Sequence, residues 1–206
     1  MNTSKFTIKV VADNAEKGNS YRENLKRYNK ANASGFYLEC LWILYAMLED
    51  RTSAFLYYLG FTSEQKRNKA TGSKKIKSEV RRIFHITDSN AKYKFDTISG
   101  KLSRIEEVLL WGMETDNNVS DYQAAVKIAV LKIASDSKTQ DALTYLNNEW
   151  RDKRNQLTHS LFNKDPNAVV SELKALVEKG YTAVRCLDAS VALLKKEKIR
   201  DRFKVR

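Results

Sequence analysis

Residues 165–194 read DPNAVVSELKALVEKGYTAVRCLDASVALL. Asp165 is a helix N-cap and Pro166 suits the first helical position, so the stretch opens on a strong start signal. Val170, Leu173, Val177, Gly180, Val184, Leu187, Val191 and Leu194 then recur at intervals of three and four without a break. That spacing predicts one helix of about 30 residues in which Gly180 admits a close neighbour rather than a stop. An apolar stripe this long must be buried against other helices. The rest of the chain supplies them: 206 residues hold one proline and seven glycines, too few for the frequent turns of sandwiches and barrels.

Outward from that helix, Leu41, Leu44, Leu48, Thr52, Phe55 and Leu59 form the stripe of a second long helix, with Ser34-Gly35 as its expected cap. On its far side Glu39, Ala46, Asp50 and Tyr57 fall near one line together with Ile43 and Ala54, a face that meets either another helix or another subunit. Tyr21, Leu25 and Tyr28 mark a surface helix over 14–33, and residues 5–12 alternate weakly as a short strand or an arm. A short helix is expected near 75–84. Asp96-Thr97 starts another, striped by Ile98, Leu102, Ile105 and Leu109 and fading at Gly112. Beyond Asp116-Asn117-Asn118, Val119, Tyr122, Val126, Val130 and Ile133 share one face. A helix from about Thr139 to Asn163 precedes Asp165, its core stripe Leu143, Leu146, Trp150, Leu157 and Leu161. The expected fold is all-α, a bundle of about five or six helices in one domain over residues 1–206, with an arm at 1–13.

Composition narrows the partners. Apolar residues make up 42% of the chain and charged residues 30%, enough for a core. Cys40 and Cys186 lie in apolar helical patterns and read as reduced core residues, not as a disulfide framework. The first residues lack the long apolar stretch of a secretory signal, and the run from Gly35 to Leu48 is too short to span a bilayer, so a cytoplasmic chain is expected. Lys and Arg total 37 against 25 acids, a formal net charge of +12. Such a chain attracts polyanions. Lys66, Arg67, Lys69, Lys74, Lys75, Lys77, Arg81 and Arg82 crowd a basic loop at 62–82, whose Ala-Thr-Gly-Ser centre reads as mobile; the C-terminal tail at 195–206 is basic too. The 62–82 run has almost nothing to bury in lipid, which favours nucleic acid over a membrane surface, beside the plainer reading of both runs as solvated faces.

Only two histidines occur. His85, between Phe84 and Ile86, reads as an ordinary packed or surface residue. His159 lies in EWRDKRNQLTHSLF (149–162), where Asn155 and His159 are an i, i+4 pair on the face away from the apolar stripe. Arg154 flanks them and can swing its guanidinium to the same patch, with Arg151 as a second cation a turn back. These types suit RNA cleavage by the ribose 2′-OH. Imidazole takes and gives protons near neutral pH. A planar guanidinium clamps the charge that gathers on phosphorus in the transition state. Asparagine either orients the imidazole or bonds the phosphate. The sequence offers no cluster with zinc or two-metal spacing and no phosphate-cradling glycine loop, so no cofactor is expected.

The stretch Arg154-Asn155-Gln156-Leu157-Thr158-His159 resembles the Arg-x4–6-His motif of the HEPN family, including the asparagine that often follows the arginine. From 13 Arg, 15 Asn and 2 His, an Arg-Asn-x3-His string has a chance expectation of about 0.01 in this chain, so the match is specific in its sharp form. The resemblance is confined to the motif and its place on a late helix. It implies a helical bundle that pairs so that two motifs line one cleft, and a metal-independent endoribonuclease leaving 2′,3′-cyclic phosphate and 5′-OH ends. It also implies a setting in toxin–antitoxin pairs, anti-phage defence or CRISPR effectors, with an antitoxin or other regulatory partner. On that resemblance His159 is the general acid/base, Arg154 the phosphate clamp and Asn155 the positioning group. Glu49, Asp50 and Arg51, charged residues inside an apolar helix, are candidates for supporting them, beside the plainer reading of ordinary surface charges.

Two functions follow: a homodimeric ribonuclease, and a non-catalytic helical protein that binds RNA or assembles into a complex. DNA binding through a helix-turn-helix has less support, because no basic recognition helix stands apart from the core-like stripes.

Overall fold

A computed structural model describes residues 14–62, 74–87, 95–115, 119–160 and 163–205. They are all-α: α1 (Asn14–Ala33), α2 (Tyr37–Tyr58), α3 (Lys74–Ile83), α4 (Ile98–Met113), α5 (Asp121–Ala134), α6 (Ser137–Thr144), a π-turn (Tyr145–Trp150), α7 (Arg151–Ser160), α8 (Pro166–Glu197) and α9 (Ile199–Arg202). No helix among them is long and apolar enough to cross a membrane. The expected arm or strand at 1–13 lies outside the described residues.

α8 is the spine and α2 its principal partner. Leu41, Leu44, Leu48, Thr52, Phe55 and Leu59 are all at or below 4% exposure, so the expected stripe of α2 is the buried one. On α8 the stripe from Leu173 to Leu194 is likewise buried, but it begins at Val169 (4% exposed) and not at Val170 (49%). Asp165 caps the helix by accepting from the backbone N–H groups of Asn167 and Ala168 (3.4 and 3.1 Å). Asp165→Ala removes both acceptors and is expected to cost about 0.5–2 kcal/mol, read as a lower thermal midpoint with no change of helix content. At Gly180 a Cβ would lie 2.3 Å from Trp150 Nε1, so the glycine does admit a neighbour: the indole that closes the π-turn.

Gly35 plays a different part from the one expected. Its φ of +74° places it in the left-handed region, and the Phe36 N–H bonds to Ala31 O (2.8 Å) while Gly35 N–H bonds to Asn32 O (3.2 Å). That is a C-terminal motif closing α1. α2 then starts at Tyr37, and Phe36 before it provides no side-chain cap. The far side of α2 meets α1: Ile43 is buried, and Arg27 of α1 pairs with Glu39 at 3.1 Å. α4 and α5 open on Thr97 and Ser120, whose hydroxyls accept from the N–H groups of Gly100 and Gln123, and Gln123 returns the bond to complete a capping box.

The charged residues inside α2 have partners in the bundle. Arg51 bonds Asp50 and reaches Asp188 of α8 at 3.0 Å, under the ring of Tyr21. Lys101 of α4 is fully buried, donates to Ser53 Oγ (2.9 Å) and stands 3.7 Å from Glu49. Burial pushes its ammonium below the usual lysine range, opposed by the Glu49 carboxylate.

The C-terminal segment is not a free basic tail. Lys198 turns the chain at φ +51° into α9, Ile199 and Val205 are buried, and Arg200 donates to the carbonyls of Tyr57, Thr62 and Val205 while lying 3.9 Å over the Tyr57 ring. Its guanidinium ties the end of the chain to the end of α2, so this cation is structural. The segment expected as a basic loop at 62–82 is also helical in part, since α3 covers 74–83; residues 63–73, with Lys66, Arg67 and Lys69, lie outside the described residues.

Candidate active site

The helix expected from Thr139 to Asn163 begins at Ser137 and is interrupted by the π-turn Tyr145–Trp150, which takes an extra residue into one turn. Leu143 just before this irregularity and Leu146 and Trp150 within it stay in the core, Leu157 is half-buried, and Leu161 lies outside the described residues. The Trp150 indole is anchored by its Nε1 donating to Leu176 O of α8 (3.3 Å). α7 therefore starts from a fixed point, and its Arg154, Asn155, Thr158 and His159 face the first half of α2.

Those four residues and Leu38, Leu41, Trp42 and Tyr45 enclose a groove of about 350 Å³. One wall is cationic and hydrogen-bonding, the other aromatic and aliphatic. The sequence places Asn155 and His159 on the polar face, and both are exposed there; Arg154 is half-buried. Its guanidinium carbon lies over the Tyr45 ring (4.3 Å to the centroid) and 5.8 Å from the centroid of the Trp150 ring. Its Nε and Nη2 both donate to Asn155 Oδ1, at 3.2 and 2.6 Å. Asn155 thus orients the arginine, where the sequence left it to orient the imidazole or bond a phosphate.

The manner of holding Arg154 matters for its chemistry. Arg27, Arg51, Arg151 and Arg185 are each bonded to a carboxylate. Among the described residues no carboxylate pairs with Arg154; two rings and a neutral amide fix its plane while leaving its charge uncompensated. A cation held in this way is prepared for an external anion. Thr158 donates to the Arg154 carbonyl (2.8 Å), a bond within the helix that leaves the groove side chains undisturbed.

A smaller hollow of about 160 Å³ continues past Tyr45, Arg154 and Asn155 to Thr97, Ser99 and Arg151. Arg151 bonds Ser99 Oγ and Asp152, so the second expected cation stands in the adjoining hollow rather than beside His159. The other expected contributors lie elsewhere. α3 packs on α5, and Lys77, Arg81 and Arg82 line no part of the groove; Arg82 faces Glu79 at 3.9 Å. Lys74 and Lys75 occupy the first turn of α3. Glu49, Asp50 and Arg51 are engaged with Lys101, Asp188 and Tyr21 and do not reach the groove. His85 is exposed, 3.6 Å from Glu114. The sequence does not single out Tyr45 and Trp42: Tyr45 lies at the edge of the apolar stripe of α2, and Trp42 is an aromatic residue off it.

Beside the groove, Phe36 (63% exposed) and Val170 (49%) share a hollow with Leu38, which also lines the groove, so an apolar surface adjoins the polar one. Comparison with known protein families, with curated proteins and with solved structures gave no match for this chain.

Proposed function

We propose that this chain is a metal-independent endoribonuclease of the HEPN type, acting as a homodimer. The observation that carries the reading is Arg154: a guanidinium held by Tyr45 and Asn155, without a carboxylate partner among the described residues, in one groove with His159. The Arg-Asn-x3-His string, the net charge of +12 and the apolar surface of Phe36, Leu38 and Val170 next to the groove support it further.

In this mechanism the scissile phosphate lies against Arg154. An imidazole takes the proton of the ribose 2′-OH as that oxygen attacks phosphorus. The P–O bond to the 5′-oxygen breaks, and the departing oxygen receives a proton from a second imidazole. The one histidine of the groove cannot stand at both ends of an in-line displacement, so a second copy supplies the other His159 across the shared cleft. Arg154 bears the charge of the five-coordinate phosphorus through a two-pronged contact. Products are a 2′,3′-cyclic phosphate and a 5′-OH.

Purified protein incubated with end-labelled single-stranded and hairpin RNA in EDTA is expected to cut the RNA, with cyclic phosphate on the 3′ ends of the upstream fragments. RNA binding without cleavage would favour the second reading, a helical RNA-binding protein in which the motif is structural. Cleavage that survives both Arg154→Ala and His159→Ala would remove the motif from the mechanism.

A further inference from the structure

Trp42 is 70% exposed in the second turn of α2, although Leu41 and Ile43 on either side of it are buried. The other two tryptophans, Trp111 and Trp150, are 4% and 1% exposed. The two aromatic rings of the groove's α2 wall have different fates. Tyr45 carries the Arg154 guanidinium; Trp42 carries no stacked ring or cation among the described residues. An indole face thus stands open in the same groove as Arg154, Asn155 and His159.

We infer that Trp42 is a stacking platform for an unpaired nucleobase next to the scissile phosphate. The inference rests on the ribonuclease reading of this groove and specifies what enters it. A nucleotide brings an anion and a flat π-face joined by a short sugar, which matches a cationic wall and an aromatic wall on two facing helices. A base inside a duplex already has both faces covered and cannot offer one, whereas an unpaired base can be splayed out onto a ring. Every base has a π-face, so the platform selects for strandedness and tolerates sequence. A purely apolar partner segment fits less well, since it would desolvate the Arg154 charge without pairing it. Phe36 and Val170, outside the groove, remain for a subunit contact.

Trp42 is the one well-exposed tryptophan of the three, so its emission reports on the platform directly. Full-length protein carrying His159→Ala, which keeps RNA intact, is titrated with single-stranded oligouridylate and with a blunt RNA duplex. The single strand is expected to quench the tryptophan emission and the duplex to leave it nearly unchanged. Adding Trp42→Ala should abolish the quenching and weaken oligouridylate binding about tenfold by anisotropy of the labelled RNA, while Trp42→Phe keeps most of the affinity. The residue is at the surface, so both variants should fold. Unchanged affinity in Trp42→Ala overturns the platform. So does sedimentation of Trp42→Ala as a smaller species than wild type, which would assign the ring to the subunit contact. Cleavage that depends on His159 but not on Trp42 leaves the ribonuclease standing without the platform. Binding that depends on Trp42, with no cleavage by the unaltered protein, leaves the platform and removes the ribonuclease.

Discussion

His159→Ala is expected to slow RNA cleavage by about 10²–10⁴-fold, the usual contribution of one acid–base group, with little change in RNA affinity. The side chain is exposed at the groove rim, so the thermal midpoint should not move and the loss can be assigned to chemistry. Arg154 has two jobs and its variants separate them. Arg154→Lys retains a positive charge but has neither the planar face that lies on Tyr45 nor the fork that bonds Asn155 Oδ1. A loss of about 10²–10³-fold in kcat is expected for the lysine variant, the range seen when one preorganised donor to a transition-state anion is removed. Arg154→Ala should weaken RNA binding as well. Single-turnover rates at saturating RNA, beside binding measured separately, distinguish the two. A lysine variant with wild-type kcat would mean that charge alone suffices and that the stacking on Tyr45 is incidental.

Gly180→Ala is expected to destabilise the fold even though alanine is the better helix former. In an open helix the exchange gains about 1 kcal/mol. Here the new methyl would lie 2.3 Å from Trp150 Nε1 and 3.0 Å from its Cδ1, so the indole, 1% exposed and bonded to Leu176 O, would have to shift and give up its anchor. Overpacking of this kind costs about 1–3 kcal/mol and should outweigh the propensity gain. At about 2–4 °C per kcal/mol for a chain of this size, a fall of several degrees in thermal midpoint follows. Gly18 in α1 is the control, because a Cβ there meets nothing within 4 Å; Gly18→Ala should be neutral or raise the midpoint. Trp150 also stands 5.8 Å from the Arg154 guanidinium, so Gly180→Ala should lower activity at temperatures where the variant is still folded. Equal shifts from the two glycine variants would contradict the packing account.

Much of the bundle was legible because periodicity is a local property. The stripes of α2, α4, α5 and α8 follow from residues three and four apart, and Asp165-Pro166 marks its helix start from the sequence alone. Local rules give two answers at several helix ends. Val169 and Val170 both suit a stripe continuing to Leu173, and packing at the helix end decides which is buried. Ser34-Gly35 could start α2 or finish α1; the left-handed Gly35 finishes α1. The π-turn has no sequence signature of its own, and the clustered bases of 62–82 and 195–206 could be read for charge but not for where α3 and α9 would carry them.

The sequence by itself determined the all-α class, the long helix running through Gly180, and the placing of Asn155 and His159 on one polar helix face with Arg154 flanking them. Spacing along a helix fixes direction around its axis, so no distant residue is needed for these. Only the tertiary structure decided what that face meets. Tyr45 and Trp42 lie more than a hundred positions away on α2, and they come opposite α7 because Trp150, lodged against Gly180, anchors α7 to the same α8 that α2 packs on. Which ring takes the guanidinium, and which is left open to solvent, depends on the relative placement of two helices, and helical periodicity carries no information about that.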